Sequence, residues 1–193
     1  MRGISTIVFL PVLFVSVMVH RGLLAQEPEK SASGTTASPR AQTEMAKLIH
    51  ALAGSWSLQL STPTHGGAGS GTEVWRVGPG GNSLIEEYHS TGDEGEISGL
   101  GVAWWDKSAG RFQVVWCDNT DPGGCSTIKN GARWEGGDLT ALHEWEEAGK
   151  KFTLREVFSS FTENSFTQTL YQSESGSDLN KILTIRATRK EGP

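Results

Sequence analysis

Between Gly99 and Cys117 the chain reads GLGVAWWDKSAGRFQVVWC, and bulky residues alternate with polar ones along its second half, Phe112, Val114 and Trp116 against Arg111, Gln113 and Val115. A repeat of two is the signature of an extended strand with one face in a core and the other toward water. The intervening Asp106-Lys107-Ser108-Ala109-Gly110 predicts a tight turn. Gly110 can take the positive φ that closes a short hairpin loop, and the Asp106 side chain can accept from its own turn backbone. This pattern excludes a helical fold for the second half of the chain, because the same alternation recurs after almost every turn signal. Trp56, Leu58 and Leu60 alternate with Ser and Gln, and Leu139, Ala141, His143 and Trp145 form a further set. Phe152, Leu154, Glu156 and Phe158 make another, followed by Phe166, Gln168 and Leu170 and then by Ile182, Leu183 and Ile185.

Nine or ten short antiparallel strands follow from this reading. A sheet of that many strands, each with an apolar face, must close on itself or split into two layers. Successive tight turns, with few long crossovers, favour closure. The expected fold is therefore all-β: a closed antiparallel up-and-down barrel of about 8–10 strands over 54–190, preceded by one short helix. The helix is expected over 41–53, where Met45, Leu48, Ile49 and Leu52 recur at helical spacing before Gly54. It would plug or cover one end of the barrel.

The N-terminal 1–25 reads as a secretory signal peptide. Arg2 precedes an apolar run from Ile4 to Val19, with cleavage expected after Ala25. The run is shorter than the roughly 20 residues of a comfortable span, so no stable membrane span is expected after cleavage. Residues 26–40 are polar and Pro- and Ser-containing, as in a linker with nothing to bury. The expected location is the periplasm or the exterior. In an oxidising compartment the two cysteines, Cys117 and Cys125, are expected to pair across a segment of turn formers. The net charge of −5, without a Lys/Arg cluster, argues against nucleic acid.

The order of motifs resembles a known group. Leu52-Ala53-Gly54-Ser55-Trp56 is similar to the G-x-W opening of lipocalin-like (calycin) folds. The downstream Gly-Gly-Asn-Ser-Leu-Ile-Glu-Glu and Gly-x-Gly-x-x-x-Trp-Asp with Gly-Arg-Phe resemble uncharacterised secreted bacterial proteins carrying that barrel, over roughly residues 46–188. The resemblance implies a small apolar ligand held inside and transfers no catalytic residue. A related class binds haem through a His, for which only His89 or His143 would be candidates.

Seven tryptophans suit either core filling or an aromatic-lined cavity. The expected ligand-contacting set is Trp56, Trp75, Trp104, Trp116 and Trp145 as wall, with His143, Glu156 and Gln168 as polar anchors or as partners of one another. No nucleophile or oxyanion device accompanies them, which weighs against catalysis. In Glu86-Glu87-Tyr88-His89 only Glu87 and His89 share a face, too few ligands for a zinc site, so a solvated face is expected there. Asp118 to Asp121 lacks the calcium-loop pattern and reads as turn chemistry at the barrel mouth. No cofactor or metal is implied, and the sequence assigns no oligomeric state. The expected function is binding of a small hydrophobic or amphipathic molecule. The alternatives are an envelope interaction module with a filled core or a barrel enzyme or haem protein.

Overall fold

The computed structural model describes residues 39–63, 68–92, 95–128, 130–147 and 149–191. The expected signal peptide and most of the expected linker lie outside the described residues. One helix, α1 (Pro39–Leu52), leads into eleven strands: β1 (Gly54–Ser61), β2 (Ala68–Val77), β3 (Ser83–Gly92), β4 (Gly95–Asp106), β5 (Arg111–Asp118), β6 (Cys125–Thr127), β7 (Ala132–Glu135), β8 (Asp138–Glu147), β9 (Lys150–Ser159), β10 (Ser165–Glu174) and β11 (Asn180–Arg189). No described helix is long and apolar enough to cross a membrane.

Ten of these strands form a closed antiparallel barrel in which each pairs with its neighbour in the chain, and β11 returns to β1 through six residue pairs from Trp56↔Arg189 to Ser61↔Thr184. Hairpin connection accounts for the order: each short turn leaves the next strand nothing closer to pair with than the one before. The exception is β6, a short strand that begins at the second cysteine, just after the segment of turn formers. It folds back on the upper half of β5, pairing Val115↔Thr127, Trp116↔Ser126 and Cys117↔Cys125. The next strand, β7, therefore meets β5 at a single pair, Phe112↔Ala132. Gly131 makes that approach possible. It has φ +62, and a Cβ there would stand 2.1 Å from the Phe112 carbonyl oxygen. Above this point β8 is paired with β9 along its whole length, while its pairing with β7 ends at Ala132↔Ala141.

Cys117 and Cys125 form a disulfide across a directly opposed pair, fixing β6 to β5. The Cys117→Ser, Cys125→Ser variant is expected to lose about 2–3 kcal/mol of stability by loop-closure entropy, read as a lower denaturant midpoint that reductant no longer shifts.

The helix covers one end. Met45, Leu48 and Leu52 are buried, joined to the core cluster by Trp56, Leu58, Phe166 and Ile185. These spacings place one helical stripe on the barrel. Cations from its exposed side reach over aromatic rings, with Lys47 Nζ 3.9 Å from the Trp134 ring centre and Arg40 5.7 Å from that of Trp105. The chain leaves the helix through Gly54 at φ +137, and Trp56 follows with its indole N–H donating to the Leu52 carbonyl at 2.8 Å. Arg189 lies 4.1 Å above the Trp56 ring and donates to the carbonyls of Ala53 and Glu163 at 2.9 and 2.8 Å. This end is thus closed by one helix, one buried indole and one guanidinium.

Candidate functional site

The barrel encloses a cavity of about 770 Å³. Its floor, next to the helix, is made by Leu48, Leu52, Phe112, Leu139, Phe158 and Ile185. Its upper walls carry Trp116, Trp145, Leu154, Leu170 and Leu183, and its rim includes Asp118, Thr120, Asp121, Pro122, Glu146 and Glu147. The size suits a small organic molecule, and the apolar walls are those of a binding cavity of that class.

The expected residues divide. Trp75, Trp116, His143, Trp145, Glu156 and Gln168 all line the cavity. Trp56 does not: it is 0% exposed, below the floor, with its ring 4.8 Å edge-to-face from Phe166. Trp104 is on the outside, 36% exposed, paired with Ser83 and Gln113. The expectation that both contribute to the wall is therefore corrected by their positions. The reason for Trp104 is steric. The inward face of β4 carries Gly99, Gly101 and Ala103, and Trp116 from β5 lies across it, so close that a Cβ at Gly99 would stand 2.2 Å from the indole. One large ring uses the space that three small residues leave, and the bulky Trp104 takes the opposite face.

Trp116 is held firmly. Its indole N–H donates to Asp118 Oδ2 at 2.6 Å, and Tyr88 meets it edge-to-face at 6.0 Å. Asp118 also accepts from the Thr120 amide and hydroxyl and the Asp121 amide, at 2.7, 2.6 and 2.9 Å. Burial would raise the Asp118 carboxyl, but these donors hold it below its ordinary value. The loop after β5 is thus built on one carboxylate at the mouth. On the opposite side His143 stands edge-on to Trp145 at 5.4 Å, and Trp145 stacks on Phe152 at 5.3 Å.

Deeper in, the site contains acids that the sequence reading did not single out. Glu86 turns inward while Glu87 and His89 turn out, where Glu87 pairs with Arg76 and His89 Nδ1 lies 3.0 Å from Ser98 Oγ. The outward face expected for Glu87 and His89 is the one found, and His89 cannot reach a ligand in the lumen. Glu73, 1% exposed, sits behind Glu86 on β2. Neither of its carboxyl oxygens has a hydrogen-bond partner among the described residues, nor does the Trp75 indole N–H. Across the lumen the Gln168 amide N–H donates to Glu156, and the Gln168 amide oxygen has no partner among the described residues.

Burial governs the proton affinities here. It raises Glu73 from the ordinary 4.5 to about 7, against a lowering pull from the nearby Glu86 carboxyl and Trp75 indole. Burial first, then the charge of Glu73, push Glu86 well above the carboxylate range. Burial also raises Glu156, opposed by the Gln168 hydrogen bond. Among the described residues no group of three or more His, Cys, Asp or Glu could hold a metal ion. The site offers a largely apolar chamber with carboxyl and amide groups at mid-depth.

A signal for the missed acids was present. Side chains two apart on a strand share a face, so an inward Trp75 requires an inward Glu73, and an inward Leu84 requires an inward Glu86 and Tyr88.

No family model and no curated protein matches the sequence. Among solved structures the chain is matched to that of EF1p2_mFAP2b bound to DFHBI, at 10% identity and a TM-score of 0.40, covering 79% of this chain and 100% of that one. The architecture shown is a closed ten-stranded antiparallel barrel with one short leading helix.

Proposed function

We propose that this protein is an exported barrel that binds one small, largely apolar or amphipathic molecule in its lumen. The observation that carries the reading is the cavity of about 770 Å³ with aromatic and aliphatic walls. An apolar void of that size loses dispersion contacts all along its lining, and a guest that fits restores them. A core module with a filled interior would have no such volume. Export is supported by the leader-like N-terminus and by the disulfide at the rim.

The test uses the mature chain and Nile red, an uncharged dye whose emission rises in apolar surroundings. One equivalent is expected to be taken up, with quenching of the tryptophans at the wall. Ala141, buried and lining the cavity, stands beside Ala132 and Glu156. Ala141→Phe and Leu154→Trp fill the same space from two strands, and each is expected to weaken uptake by about tenfold or more while circular dichroism stays that of the parent. A folded parent protein that takes up no dye would refute the proposal.

A further inference from the structure

The segment from Asn119 to Ile128 runs along the rim of the cavity, which Thr120, Asp121, Pro122, Ser126 and Ile128 help to line. Both of its ends are fixed. The Asn119 amide donates to the Ser98 carbonyl at 3.1 Å, its side-chain oxygen accepts from the Ser98 amide at 2.7 Å, and its side-chain N–H donates to the Glu96 carbonyl at 3.1 Å. The Ile128 amide donates to the Val114 carbonyl at 2.9 Å. Between these points the attachment is thin. β6 meets β5 through three residue pairs, and among the described residues its other edge pairs with no strand. By comparison β3 and β4 share ten pairs. One of the three is Cys117↔Cys125, where the disulfide stands. That bond is within reach of solvent. Trp116 faces the lumen, so Cys117 takes the outer face of β5, and Cys125 opposite it is exposed.

Resting on the small-molecule reading above, we propose that the Cys117–Cys125 disulfide is a redox-controlled latch: intact, it holds the strap 120–127 at the mouth, and its reduction by a dithiol frees the strap so that the guest exchanges rapidly. A three-residue strand bonded on one edge makes too few contacts to stay down unaided, and such pieces open locally while the rest of a fold stands. The cross-link suppresses those openings. Exposed disulfides are the ones that thiolates reach. The dithiol attacks the Cys125 sulfur as a thiolate. A mixed disulfide forms there as the Cys117–Cys125 bond breaks and Cys117 leaves as a thiolate. The second thiol of the reductant then displaces Cys125, so the protein gains two electrons and two protons and the dithiol becomes a disulfide. The side chains that hold an apolar body lie elsewhere. Leu139, Leu154, Phe158, Leu170 and Ile185 line the cavity from β8 to β11, strands that the bond does not touch. Opening the latch therefore changes how fast a guest passes more than how tightly it sits.

Stopped-flow exchange of Nile red, with the mature chain in the presence and absence of dithiothreitol, tests this. Reduction is expected to raise the rates of uptake and of release by about tenfold each and to leave Kd within about threefold, with circular dichroism unchanged. Cys117→Ser, Cys125→Ser is expected to show the fast rates without reductant and no response to it. Should that variant fail to fold, the oxidised and reduced parent carry the test between them. Equal rates in the two forms of the parent would overturn the inference and leave the small-molecule reading in place. So would an equal acceleration by dithiothreitol in the double variant. Loss of the dye together with the circular dichroism on reduction would also overturn it, since the bond would then hold up the whole barrel rather than the strap. A folded, oxidised protein that takes up no dye would remove the small-molecule reading, and this inference with it.

Discussion

The unfolding midpoint of this barrel is expected to fall as the pH is raised from 5 to 8, and Glu73→Gln, Glu86→Gln is expected to remove most of that fall. Burial raises Glu73 from 4.5 to about 7 and moves Glu86 further in the same direction. A carboxyl whose folded value is raised holds its proton more tightly in the native state than in the unfolded chain. Its contribution is complete below the ordinary 4.5 and is lost as pH climbs through 4.5 toward the folded value. For Glu73 alone the loss is on the order of 3 kcal/mol, or roughly 10 °C for a domain of this size. The groups shifted the other way do not interfere. Hydrogen bonds from Ser108 and Ala109 hold Asp106 down at about 2, and Glu87 and Glu135 are lowered by their Arg76 and Arg133 partners. What they contribute is lost only as pH falls below the ordinary carboxylate range, outside the window tested. Glutamine keeps the shape of glutamate and cannot ionise, so the double variant should lose most of the slope, the remainder belonging to Glu156, which burial also raises. A parent protein whose midpoint does not change between pH 5 and 8 would contradict the account of these two side chains.

The second large effect concerns two tryptophans that look alike in the sequence. Trp56→Ala is expected to cost about 3–5 kcal/mol, and Trp104→Ala less than about 1 kcal/mol. Trp56 has no exposure, an edge-to-face partner in Phe166, a hydrogen bond to Leu52 and a guanidinium over its face. Removing it leaves a void between the helix and the barrel floor, and leaves Arg189 above nothing. The same guanidinium ties the ends of β1 and β10 through Ala53 and Glu163, so Trp56→Ala and Arg189→Ala should not add. Their coupling is expected to be about 1 kcal/mol in a double-mutant cycle of urea melts. Similar losses for Trp56→Ala and Trp104→Ala would show that the closing of this end is not what holds the helix down.

Much of this architecture was legible in the chain. Alternation and turn residues give every strand of the barrel, because hairpin order leaves little freedom once the turns are placed. The capping helix is legible for the same reason, its stripe being separate from anything that follows; it begins at Pro39, two residues before the expected start. What alternation could not show is how two faces share one lumen. Along the middle of β4 the inward residues, Gly99, Gly101 and Ala103, are the small ones, and a rule that sends bulk inward picks the wrong side at Trp104. The acids failed differently. Glu73 and Glu86 were passed over because a carboxyl is by default a surface group. Their place follows from parity with Trp75 and Leu84, which outweighs residue type whenever a neighbour two positions away is fixed. The strand at Cys125–Thr127 gave no sign, since three residues are too few to show a period.

That small strand bears on how the wall yields. By occupying the upper half of β5 it leaves a seam where β5 and β7 are stitched at one rung, while β1 and β11 are joined by six on the far side. Separating one rung costs far less than separating a full ladder, so a shell of this kind gives way along that line and turns about the opposite one. The disulfide, lying wholly on one bank, steadies that edge without sewing the two together.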